Sequence, residues 1–141
     1  MSEIAPDSVP ARLAFVVGRL NRRLTFAPGG LSHGQLTALA SVAKSGPLRL
    51  AELAQLENVS APGATRTVAE LEARGLVARK VDPGDGRAFH IAVTPAGADA
   101  IIRARAARTQ VVAELLSDLS STELAEIEAA LPALEKVLGK F

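Results

Sequence analysis

The chain has 141 residues with 16 Lys and Arg against 15 Asp and Glu, a formal charge of +1. That balance excludes a diffuse basic field, so any nucleic-acid binding must rest on locally placed cations. Apolar residues make up 48% and aromatics only 3%, with Ala and Leu dominant, which favours one mainly helical domain over a β-sandwich; the lack of cysteine excludes disulfides and thiolate metal sites.

The opening MSEIAPDSVP is polar and acidic and lacks the basic and apolar regions of a signal peptide. No apolar run reaches the roughly 18 residues of a membrane span. The expectation is a soluble cytoplasmic protein without membrane contact, with residues 1–8 a flexible tail and 9–141 a single domain.

From Val9, the apolar residues Leu13, Val16, Val17, Leu20 and Leu24 recur at helical spacing, predicting a helix over 9–26 with Arg12, Arg19, Arg22 and Arg23 elsewhere on the wheel. Ala27-Pro28-Gly29-Gly30 breaks it. Ser32 and Gln35 have capping-box spacing, and Leu31 and Leu36 staple spacing, so a second helix starts there. Leu36, Leu39, Ala40 and Ala43 form its expected buried stripe, and Gly46-Pro47 ends it. A short helix follows at Leu50 to Glu57, with Leu53, Ala54 and Leu56 inward.

Another helix spans 60–74, with Ser60 as cap, Pro62 in the first turn and Gly75 as the stop. Val77–Val93, VARKVDPGDGRAFHIAV, then reads as a hairpin around Asp82-Pro83-Gly84-Asp85-Gly86. Gly84 and Gly86 are expected to supply positive φ at its tip. Val77, Arg79 and Val81 share a face in the first run and Phe89, Ile91 and Val93 in the second, so one side of the ribbon is expected to pack on the core. Thr94-Pro95 starts a long helix. Ser120 with Glu123, and Leu119 with Leu124, repeat the capping and staple devices for a last helix through Ile127, Leu131, Leu134 and Leu138.

Residues 50–74 therefore read as a helix-turn-helix, and the cationic hairpin behind them as a wing rather than a plain surface ribbon. The fold class is mainly α with a small β-hairpin wing. A winged helix-turn-helix core over 31–93 is flanked by dimerisation helices at 9–26 and 94–139, whose apolar stripes the core is too small to cover. On the reading helix Ala64, Val68 and Leu71 face the core, and Arg66 lies almost opposite with Thr65 on its flank. Arg66 is thus placed for base edges or phosphate, against the bland reading of a solvated arginine. Pro62 and Gly63 are read as letting the helix start approach the groove floor, where Ala61 or Pro62 meets a thymine methyl; the competing reading is that Gly63 merely weakens the helix start. In the wing, Arg87 is the groove contact and Asp85 the acid that orients its guanidinium, against a surface ion pair of no consequence. Arg79 and Lys80 are weaker phosphate candidates, and Arg49 weaker still.

Residues 48–97 resemble the winged helix-turn-helix core of the MarR family of bacterial transcription regulators. The resemblance rests on LAELA, on VS and TR at 59–60 and 65–66, on LEARGLV at 71–77, on DPGDGRA at 82–88 and on VTPAG at 93–97. It implies a homodimer that binds a pseudo-palindromic operator in double-stranded DNA, commonly as a repressor released by a small aromatic or anionic effector. It also implies reading-helix contacts at Ser60, Thr65 and Arg66, a wing-tip arginine at Arg87 and its supporting acid at Asp85. Pro62-Gly63-Ala64 departs from the larger or polar residues usual in the family, which bears on base preference and not on the fold. An effector pocket between the dimerisation helices and the reading lobe is expected, with Phe15 and Phe26 as lining.

No phosphate-binding glycine loop, nucleophile elbow or metal-spaced cluster is present, so no enzyme activity, metal or cofactor is expected. His33 and His90 read as surface or capping residues, and Arg103, Arg105 and Arg108 as a solvated or intersubunit face. The rival function is a winged-helix protein-interaction subunit that no longer binds DNA. The cations retained at Arg66 and Arg87 argue against it.

Overall fold

A computed structural model describes residues 5–25 and 30–139. The elements in chain order are α1 (Val9–Thr25), α2 (His33–Ser45), α3 (Leu50–Leu56), α4 (Ala61–Ala73), β1 (Val77–Asp82), β2 (Asp85–Val93), α5 (Pro95–Leu116) and α6 (Ser121–Leu138).

Local chemistry sets most of the helix starts. The Ser32 hydroxyl accepts the Gln35 N–H while the Gln35 side chain accepts the Ser32 N–H, and Ser120 with Glu123 does the same for α6. Ser60 and Thr94 cap α4 and α5 through the N–H groups of Gly63 and Gly97. At its other end α4 closes in a Schellman turn. Gly75 takes φ +71°, its N–H donates to Glu72, and Leu76 N–H reaches back to the Leu71 carbonyl. Leu71 and Leu76 are both buried, so the turn also seats the first strand on the core.

The core lies in the helix-turn-helix lobe, where Leu36, Leu39, Val42, Leu53, Val68, Leu71, Ile91 and Ile101 pack together. β1 and β2 pair antiparallel, with Val77 opposite Val93 and Arg79 opposite Ile91. Leu48 adds a two-bond bridge to Ile91 on the free edge of β2, so the base of the ribbon is three segments wide.

Four sequence expectations change. The buried stripe of α2 is Leu36, Ala38, Leu39 and Val42, with Ala43 exposed, because the helix is packed by α4 on one side and α5 on the other. Leu56, expected inward, is exposed. Val81 is 71% exposed although it shares a face with Val77, because the ribbon projects beyond the helices that cover its base. Neither Gly84 nor Gly86 has positive φ. Two aspartates shape the tip instead: Asp82 Oδ1 accepts the Gly84 N–H at 2.8 Å and Asp85 Oδ1 accepts the Arg87 N–H at 3.0 Å. No residue of α1 or α6 is buried, and both carry exposed apolar side chains. Among the described residues no helix is long and apolar enough to cross a membrane.

Candidate nucleic-acid interface

Ala64, Val68 and Leu71 anchor α4 in the core, which turns Ala61, Pro62, Thr65 and Arg66 outward. The Ser60 hydroxyl accepts the Gly63 N–H at 3.1 Å, so its oxygen is engaged while its proton remains available to a phosphate. Thr65 donates its hydroxyl proton to the Ala61 carbonyl at 2.9 Å and must release it to donate elsewhere. Gly63 has a local reason that the sequence reading did not supply. A Cβ there would lie 3.1 Å from Ser60 Oγ, so the glycine keeps the cap uncrowded. A bulky replacement at Gly63 would therefore disturb the helix start itself.

The cations of the ribbon divide into engaged and open groups. Arg79 is engaged: its Nε donates to Glu72 of α4 at 2.9 Å, and its guanidinium stacks 4.4 Å from the centre of the Phe89 ring. Arg79, expected as a weaker phosphate contact, ties the ribbon to the reading helix through this pair. Lys80 and Arg87 are exposed, and neither cationic group has an ion-pair or hydrogen-bond partner among the described residues. The same holds for Arg66. Asp85, expected to hold the Arg87 guanidinium, reaches the Arg87 main chain instead, because its short side chain closes on the amide two residues on.

The acid that sequence reasoning missed is Asp82, only 7% exposed and the one charged residue in the buried set of the described chain. Arg49 Nη2 donates to its Oδ2 at 2.6 Å, and His90 Nε2 lies 3.8 Å from the same oxygen. The Gly84 amide first, and then Arg49, hold the Asp82 carboxyl below the usual carboxylate range. His90 is accordingly half-buried beside an acid rather than outward. One signal was available: at the N-cap of α3, where Ser, Thr or Asp is usual, stands an arginine.

Phe15 is 65% exposed on α1, with Arg19 5.7 Å from its ring centre, and lines an open cleft with Leu20, Arg23 and Leu115 of α5. Phe26 lies outside the described residues. A cleft of about 380 Å³ does lie between α1, the start of α2 and α5, lined by Val17, Leu20, Asn21, Leu24, His33 and Arg108. Arg108 Nη1 is 3.4 Å from His33 Nδ1, and its Nη2 is buried with no partner among the described residues. No group of three His, Cys, Asp or Glu side chains able to hold a metal ion occurs among the described residues.

A family model described as MarR family matches residues 29–88. An HTH-type transcriptional regulator of Mycobacterium tuberculosis is 38% identical over 113 residues, 79% of each chain. The HTH-type transcriptional repressor MdtR of Bacillus subtilis is 30% identical over 95 residues, 67% of this chain and 61% of that one. Among solved structures, a mutant MarR from E. coli superposes with a TM-score of 0.77 at 25% identity, covering 98% of this chain and all of the other. The winged helix-turn-helix, its order of outer helices and these relatives lead to one conclusion: the chain belongs to the MarR family of HTH-type transcription regulators.

Proposed function

We propose that this protein is a homodimeric repressor that binds a pseudo-palindromic operator, with α4 in the major groove and the β1–β2 wing in the minor groove. One observation carries this reading. Arg49 and Arg79 are tied to carboxylates, whereas Arg66 and Arg87 are exposed and unpaired among the described residues. An unpaired arginine on the outward face of a capped reading helix, and another next to a hairpin tip, meet DNA without first breaking a protein contact. Ser60, Ala61, Pro62, Thr65 and Lys80 complete the contact surface, while Gly63 and Asp85 act through local backbone geometry.

Dimerisation follows from α1 and α6. Leu13, Val16, Leu124, Ile127 and Leu131 are exposed along α1 and α6, apolar surface that a second copy of the chain would cover. α1 carries arginines and no acid, and α6 carries four glutamates and one lysine, so the two helices of different copies are complementary in charge. A small anionic effector suits the cleft beneath α1. A carboxylate there meets the orphaned Arg108 Nη2, and Val17, Leu20 and Leu24 offer an apolar wall.

The test is a gel-shift titration against DNA upstream of the protein's own gene, repeated at rising salt. Specific binding whose affinity falls steeply with salt is expected. Absence of binding to any fragment, or a salt-independent shift, contradicts the proposal and favours a protein-interaction role.

A further inference from the structure

Arg49 cannot cap α3, because a guanidinium has donors only. Glu52 takes over that end of the helix by accepting the Arg49 N–H at 2.7 Å, and the arginine side chain is left to project across the ribbon. It reaches Asp82, thirty-three residues away, at the last position of β1 before the tip. Both oxygens of this buried carboxylate are used, Oδ1 by the Gly84 N–H and Oδ2 by Arg49. On the opposite face of the ribbon, Arg79 is stacked on Phe89 and bonded to Glu72 of α4. The wing is thus tied to the lobe on both faces, once to the reading helix and once to the start of the helix before it. Beyond Ile91 it is only two-stranded, and such a ribbon has little stability of its own.

We infer that the Arg49–Asp82 pair is a clamp that holds the wing at the angle from which Arg87 meets DNA, making both positioning residues rather than contacts. This rests on the DNA-binding reading above. Pinning the tip before binding removes ordering that the complex would otherwise have to supply. The sign of the effect separates this role from simple electrostatics. Asp82 is a negative charge on an anion-binding surface, so its removal would tighten DNA binding if charge alone mattered. A clamp requires the opposite.

Asp82→Asn isolates the clamp: Oδ1 still accepts from Gly84, but an NH₂ group now faces the Arg49 donors. Operator affinity is measured by fluorescence anisotropy for the wild type, D82N, R87A and the double variant. D82N is expected to weaken binding about tenfold, and less than about twofold when Arg87 is already absent, because coupled residues are non-additive. Arg49→Gln behaves like D82N, and Arg49→Lys, which keeps the ion pair, recovers most of the affinity. Hydrogen exchange on free protein is expected to show faster exchange at 82–89 in D82N, with the α4 amides unchanged. Tighter or unchanged binding by D82N, an equal loss with and without Arg87, or unaltered wing exchange overturns the clamp while leaving the DNA-binding reading in place. A wild type that binds no DNA overturns both.

Discussion

Gly97→Ala probes the joint between the reading lobe and the long α5 helix. A Cβ at Gly97 falls on the carbonyl oxygen of Leu76, 3.0 Å from the Leu76 carbonyl carbon and 3.1 Å from Val93 Cγ1. That carbonyl also accepts the Thr94 N–H at 3.1 Å, so it cannot swing away without breaking a bond. Relief requires the start of α5 to move, and the movement reaches Thr94. Its hydroxyl donates to the Gly75 carbonyl at 2.6 Å and accepts the Gly97 N–H at 3.1 Å. A lost cap costs about 0.5–2 kcal/mol, a lost buried hydrogen bond about 1, and overpacking about 1–3. The helix propensity of alanine over glycine returns up to about 1 kcal/mol. The net loss is about 2–5 kcal/mol, a large part of a total stability of about 5–15. Urea unfolding followed by circular dichroism should show the midpoint falling by about 1–2.5 M, taking a mid-range slope of about 2 kcal/mol per M. Gly86→Ala is the control. Its Cβ meets nothing within 4 Å and its φ is not positive, so its midpoint stays near that of the wild type. A Gly97→Ala midpoint as close to wild type as that of Gly86→Ala would refute the reasoning.

Replacing both Ile127 and Leu131 by Asp puts two charges into the exposed apolar stripe of α6. Analytical ultracentrifugation should then find a dimer for the wild type and a monomer for the variant, and a variant that stays dimeric would remove α6 from the interface. The Asp82 carboxyl, held below its ordinary range by Gly84 and Arg49, gives a pH signature. A depressed folded-state pKa contributes stability that is complete above the unfolded value of about 3.9 and is lost as pH falls through the folded value below it. The difference in urea midpoint between wild type and Asp82→Asn should hold steady from pH 7 to about 5 and shrink only below about 4. A difference that already shrinks between pH 7 and 6 would contradict the assignment to the Asp82 carboxyl. A small aromatic carboxylate, with salicylate as the probe, should raise the melting temperature of the wild type, and Arg108→Ala should abolish that rise. Equal stabilisation of the variant and wild type would place the ligand elsewhere.

Helix-capping signals are legible in the sequence, whereas the chemistry of the hairpin tip and pairings between distant segments are not. The starts of α2, α4, α5 and α6 were legible because Ser32, Ser60, Thr94 and Ser120 bind amides three residues away. The face of α4 was legible because Ala64, Val68 and Leu71 stand against a single outward Arg66. The stripe of α2 was misread at Ala43, since α4 and α5 decide jointly which side is covered. Asp85 and Arg87 are neighbours in sequence, so a side-chain pair was expected, whereas the bond runs to the main chain. Arg49 meets Asp82 across thirty-three residues and Arg79 meets Glu72 across a turn, and no periodicity announces either. Exposure of Arg66 and Arg87 followed from the pattern. Knowing that they are unpaired among the described residues while Arg49 and Arg79 are paired needed the fold.

The central claim is that Arg66 and Arg87 are the cations that meet DNA. Its most direct test is the salt dependence of operator binding for wild type and for Arg66→Ala with Arg87→Ala. If both arginines neutralise phosphates, the slope of log K against log salt becomes shallower by about 0.9 for each contact removed, and specific affinity falls together with it. If they read bases, affinity and sequence discrimination fall by about 1–3 kcal/mol per residue with the slope kept. Either result supports the claim. A double variant with wild-type slope, affinity and discrimination would contradict it.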